Sequence, residues 1–106
     1  MKIETIPANR MKLYAFADKH GLVMQVNERT RTELWKGFQY DPNRYYAAFK
    51  DIDVKDGSVI CGMHGNGPTP EAAMADYAKQ ISGKLLVYDF SSRENRKEFY
   101  APELTT

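Results

Sequence analysis

Residues 64–90, HGNGPTPEAAMADYAKQISGKLLVYDF, decide the fold. Thr69 is placed to cap a helix that opens on Pro70, whose fixed φ suits the first helical position. Glu71 sits against the positive end of the helix dipole. Met74, Tyr77, Ala78 and Ile81 then recur at helical spacing as one apolar stripe, with Asp76, Lys79 and Gln80 turned to water and Gly83 ending the run. The period changes at once to that of a strand over 84–90. There Leu85 and Val87 point one way and Leu86, Tyr88 and Phe90 the other, so both faces are expected to be covered.

Working outward, residues 44–54 read as a strand with Tyr45, Ala47 and Phe49 on one face. Lys55, Asp56 and Gly57 close a hairpin, and a return strand runs from 58 to about 64 into a loop, HGNGP. Residues 97–101 alternate before Pro102 and give a last strand followed by a frayed tail. Toward the N-terminus, 2–6 suit a short strand ended by Pro7, and 10–20 a helix with Asn9 as N-cap and Gly21 as its left-handed terminator. Residues 22–26 form a compact apolar strand, and 34–40 an irregular one with an interior glycine. The order predicts a single α+β domain over residues 1–106, a largely antiparallel sheet with two helices packed on it.

Composition narrows the function classes. Fifteen Lys and Arg against 14 Asp and Glu leave a formal charge of +1, too small a field for nonspecific nucleic-acid or polybasic membrane binding. The one cysteine, Cys61, excludes an internal disulfide or multi-cysteine zinc site, and His20 and His64 lack metal-ligand spacing. No apolar run approaches the ~20 residues of a membrane span and the N-terminus lacks a signal-peptide core, so a reduced cytosolic setting is expected. No cofactor or metal is implied. Cys61, in an apolar strand, reads as a buried inert thiol, and extended chain would send Cys61 and His64 to opposite faces. Asp51, Asp53 and Asp56 lack the closing Glu of a calcium loop and read as hairpin charges. Without a nucleophile, base or metal set, an enzyme ranks behind a binding protein.

Two features point to a ligand. Gly65 and Gly67 would let backbone amides approach an anion at the helix N-terminus, with Asn66 between them, although Pro68 and Pro70 remove two donors and a plain glycine turn leading to a capped helix is the favoured reading. Arginines also stand beside aromatics: Arg29 and Arg31 flank a polar turn, Arg44 precedes Tyr45 and Tyr46, and Arg93 and Arg96 bracket Asn95 between aromatic strands. Guanidinium forks hold phosphates and rings stack on bases.

The tract GNGPTPEAAMADYAKQISGKLLVYDF, followed by NRKEFYAP, resembles the phage Thoeris anti-defence sponge proteins. That resemblance implies a noncatalytic oligomer, made in the cytoplasm of an infected bacterial host, that sequesters a cyclic nucleotide signal of the cyclic ADP-ribose type in pockets between subunits. Arg93, Asn95 and Arg96 are the positions it favours, while Arg29, Arg31 and Asn66 rest on chemistry alone. The hairpin and TPEAA helix are also similar to the HicB-type antitoxin fold, which implies a protein partner instead. On that alternative, an antitoxin-like or anti-CRISPR inhibitor, exposed aromatics such as Trp35 and Phe38 would anchor the partner. Independently of either family, a chain this short buries only about 60 to 70% of its unfolded surface, which favours a homo-oligomer, at least a dimer.

Overall fold

Lys12 ends a short extended run and Leu13 starts a helix, a division absent from the sequence pattern. The computed structural model describes residues 1–3, 10–29 and 43–106. Strand β1 is Arg10–Lys12 and helix α1 is Leu13–His20. The helix expected over 10–20 therefore loses its first turn, and Lys12, in extended conformation, takes the N-cap position expected of Asn9. The cause is tertiary: Arg10, Met11 and Lys12 pair in parallel with Glu103, Leu104 and Thr105. At its other end α1 stops as expected, on Gly21 at φ 65°.

Strand β2, Met24–Glu28, pairs antiparallel with β3, Tyr45–Phe49. The single strand expected over 44–54 is broken at Asp51, whose φ of 62° turns the chain. Aspartate tolerates that left-handed geometry, and Asp89, at φ 48°, donates its N–H to the Asp51 carbonyl at 2.9 Å. Beyond the turn, β4, Ile52–Asp56, belongs to another sheet and forms a hairpin with β5, Val59–Cys61. The loop expected at HGNGP contains β6, Gly65–Gly67, which pairs with β3. Helix α2, Pro70–Ile81, opens as read from sequence, with the Thr69 hydroxyl accepting from the Ala72 N–H at 3.1 Å. β7, Leu85–Tyr88, and β8, Lys97–Tyr100, follow. The expected frayed tail is instead β9, Glu103–Thr105, with Leu104 buried. The strands expected over 34–40 and over most of 2–6 lie outside the described residues.

The result is mixed α+β: a three-stranded sheet β2-β3-β6, a four-stranded sheet β5-β4-β7-β8 and the parallel pair β1-β9. Apart from that pair, all the ladders among the described residues are antiparallel. One core serves both larger sheets. Phe16 of α1 has its ring 6.3 Å from Phe49 of the three-stranded sheet and 6.0 Å from Phe99 of the four-stranded one, and Phe49 meets Tyr77 of α2 edge-on at 5.4 Å. Tyr77, Ala78 and Ile81 are buried as the stripe required, and Ala73 joins them. Burial pushes the Tyr77 phenol up to about 12 against a hydrogen bond with the Phe49 backbone. Asp76 and Gln80 do not simply face water. Asp76 accepts the Asn66 N–H at 2.8 Å, and Gln80 donates to the His64 carbonyl at 3.0 Å and to Asp76 at 2.9 Å. These two helix side chains occupy the place of a further strand along β6 and close that edge.

Cys61 is exposed rather than buried: β5 is the edge strand of its sheet, and Val59 on the same strand is exposed as well. Among the described residues no helix is long and apolar enough to cross a membrane.

Candidate functional site

A groove of about 760 Å³ opens where α1, β1 and the β8–β9 connection meet. Arg10, Lys19, His20, Tyr100 and Glu103 supply its polar groups, with Phe16, Met11, Ala101 and Pro102 forming apolar wall. Its size falls within the roughly 300–1,000 Å³ of small-ligand sites. Lys19 and His20 are there because the last turn of α1 favours cations against the helix dipole, and Gly21 ends the helix directly after them. The His20 ring stacks on Phe99 at 4.2 Å with 7° between planes and meets Phe16 edge-on at 4.7 Å. Desolvation, and then the neighbouring Lys19 charge, lower the His20 pKa below its usual 6.5 and so favour the neutral imidazole.

The cations differ in commitment. Arg10 pairs with Glu103 at 3.2 Å, both side chains more than half exposed, a geometry worth about 0–1 kcal/mol. Lys19 has no ion-pair partner among the described residues. Tyr100 is 72% exposed at the rim. The groove thus offers one cation without an ion pair among the described residues, one exchangeable guanidinium, an imidazole and an exposed phenol ring, groups of the kinds that pair with anions and stack on flat rings. No group of three His, Cys, Asp or Glu among the described residues is placed to hold a metal.

The site residues nominated from sequence fall elsewhere, in two separate places. Arg29 and Asn66 meet on the outer face of the three-stranded sheet. The Arg29 guanidinium donates to the Asn66 Oδ1 at 2.6 Å and to the Asn43 carbonyl, and lies 5.4 Å over the Tyr46 ring. His64 meets the same ring edge-on at 5.8 Å. Arg44 turns instead to Glu28 at 3.0 Å. The glycines beside Asn66 serve packing, not ligand approach. A Cβ on Gly65 would lie 2.2 Å from the Ala73 carbonyl oxygen and the Tyr77 nitrogen, and one on Gly67 2.5 Å from the Ala73 nitrogen. The Asn66 N–H, offered from sequence to an anion, is held by the Asp76 carboxylate. Arg31, Trp35 and Phe38 lie outside the described residues.

Arg93, Asn95 and Arg96 stand on the exposed connection between β7 and β8. Its turn is fixed locally, with the Asn95 N–H on the Ser92 hydroxyl at 3.0 Å. Arg96 donates to Glu98 at 2.9 Å, and Glu98 also takes Lys55 at 3.2 Å. Those two hydrogen bonds, Arg96 first, hold the Glu98 carboxyl below the usual carboxylate range. This connection follows Tyr88, which pairs with Ile52 beside the Asp51 turn, whereas Arg29 extends from the opposite end of the β2–β3 ladder.

Sequence reading missed the groove because its walls come from distant segments. Arg10 and Glu103 are 93 positions apart, and no local motif announces their meeting. The one signal present was Lys-His in the last turn of a helix followed by glycine, which capping alone explains. No protein-family model, curated protein sequence or solved structure matches this chain.

Proposed function

We propose that this protein binds and sequesters a small anionic ligand of the nucleotide class, with cyclic ADP-ribose as the type, and releases it unchanged. The observation that carries the reading is the groove, which Lys19 and Arg10 line together with His20 and the exposed Tyr100. Phosphate oxygens would take the two cations and a base would lie on the exposed Tyr100 ring at the rim, with the Arg10–Glu103 pair exchanging its carboxylate for phosphate. The resemblance of residues 65–90 and 95–102 to the phage anti-defence sponges supports the same ligand class and a role inside an infected bacterium.

Calorimetric titration with cyclic ADP-ribose, ADP-ribose and unphosphorylated adenosine tests this. Heat with the phosphorylated ligands, little with adenosine and intact ligand recovered afterwards is the expected result. Lys19→Ala or Arg10→Ala should each weaken binding by roughly tenfold to a hundredfold, the loss of a charge-assisted hydrogen bond of about 1.5–3 kcal/mol. No heat with any of them overturns it. A protein partner is the second reading, favoured by Tyr14, 70% exposed, beside an apolar cleft of about 420 Å³ lined by Leu13, Met74 and Thr106.

A further inference from the structure

The four-stranded sheet has two edges, β5 and β8, and they are unequal. β5 closes a two-residue hairpin through the Asp56–Val59 pair, so its Val59 and Cys61 backbone groups turn toward β4 and Ile60 alone of its three residues turns outward. β8 offers more. The Ala101 N–H donates to the Lys84 carbonyl at 2.9 Å, on the β7 side. Alternation along the strand then turns Phe99 and Lys97 toward β7, and directs the N–H and C=O of Glu98 and Tyr100 away from the sheet. Lys97, Glu98 and Tyr100 are all exposed. Among the described residues no side chain closes this edge as Asp76 and Gln80 close β6.

We propose that β8 pairs antiparallel with β8 of a second copy of this chain, about a two-fold axis at Phe99. The sequence KEFY is self-complementary in that register. Centred on Phe99, each Glu98 stands opposite a Tyr100 of the other copy, the two outward-facing positions coincide, and each such pair exchanges both main-chain hydrogen bonds. Side chains agree: a carboxylate faces a phenol that can donate to it, and the two Phe99 rings adjoin on the core side. Centring on Glu98 or Lys97 instead sets like charges opposite one another, which is unfavourable. The Glu98 carboxylate is already neutralised within its own chain by Arg96 and Lys55, so two copies approach without a net acidic barrier. The interface shares Tyr100 with the rim of the groove, but it is set by the β8 main chain, and the mass and amide-exchange readouts below are taken without any nucleotide, so its failure is distinguishable from failure of the nucleotide reading.

Light scattering on the intact chain tests it, with twice the 12.2 kDa chain mass expected at micromolar concentration and dissociation on dilution. Glu98→Pro deletes one outward N–H while leaving the β7 ladder untouched, and should return the mass to 12.2 kDa with the circular dichroism spectrum retained. Amide exchange on the unmodified protein gives a second, independent readout. The Glu98 and Tyr100 amides should gain protection as concentration rises, while those of Lys97 and Phe99 are protected throughout. A single-chain mass at every concentration, or a dimer in which the Glu98 and Tyr100 amides exchange freely, overturns the proposal.

Discussion

The Asn66 main-chain N–H donates to the Asp76 carboxylate at 2.8 Å, and through this bond a helix side chain finishes the edge of a sheet. Asp76→Ala would strand that N–H and release the Gln80 amide from one of its acceptors. A part-buried, charge-assisted bond of this kind is worth about 1 kcal/mol after solvent screening, so the melting temperature should fall by about 5 °C. Thermal denaturation checks it, and an unchanged midpoint would mean that water serves β6 as well as the helix does.

Gly65→Ala should be among the most damaging single changes in the chain. Its Cβ would stand 2.2 Å from two main-chain atoms of α2, where no rotamer change can relieve the overlap. A loss of about 3 kcal/mol or more is expected in a denaturant titration. Gly62→Ala is the control, since its nearest neighbour is the Asp53 carboxylate at 3.5 Å, an ordinary contact. Equal stability of the two variants would remove the packing role assigned to Gly65.

Acid should weaken the fold in two stages. His20 has its pKa lowered in the folded state, so the unfolded chain binds the proton more tightly and stability falls as pH drops below about 6.5 until the folded His20 has itself titrated. Glu98, also lowered, contributes stability that is present above its unfolded value of 4.5 and is lost as pH falls further. Melting curves between pH 7.5 and pH 3 read both stages. His20→Gln should flatten the upper stage alone, and a variant that retains the full slope there would clear His20 of the effect.

Arg93→Ala and Arg96→Ala separate the two possible homes of a ligand. If the groove holds the nucleotide, both variants keep their affinity while Lys19→Ala loses it. If the β7–β8 connection holds it, the order reverses, and Arg93→Lys recovers part of the loss because charge is kept without the planar fork. Arg96→Ala should cost little stability in either case, since its pair with Glu98 lies at the surface.

What sequence could show follows from what is local. Helix α2 was legible to its first residue because Thr69, Pro70 and Glu71 are start signals that need no partner. The β4–β5 hairpin was legible for the same reason, through Gly57 at φ 61°. β6 was not, because Gly-Asn-Gly has no strand propensity and is held extended by β3 on one side and α2 on the other. The break at Asp51 left one trace, a change of phase in which the buried set moves from Ala47 and Phe49 to Ile52 and Val54, and a single-strand reading passes over it; β1 and β9 were hidden by the fact that each is a strand only in the presence of the other. Arginine next to tyrosine did locate a real contact, Arg29 over Tyr46, while the groove required Arg10 and Lys19 to meet residues from the far end of the chain.

The β1–β9 pair has a dynamic consequence. Three residues on each side, joined across 93 positions and sharing no ladder with either larger sheet, make a small cooperative unit of long loop closure. Such a unit opens before the rest of a protein does, and its amides should exchange ahead of those in β4 and β7. Arg10 and Glu103 ride on that pair. The wall of the groove is therefore built on a joint expected to open early, and a guest held between Arg10 and its neighbours would brace that joint against opening.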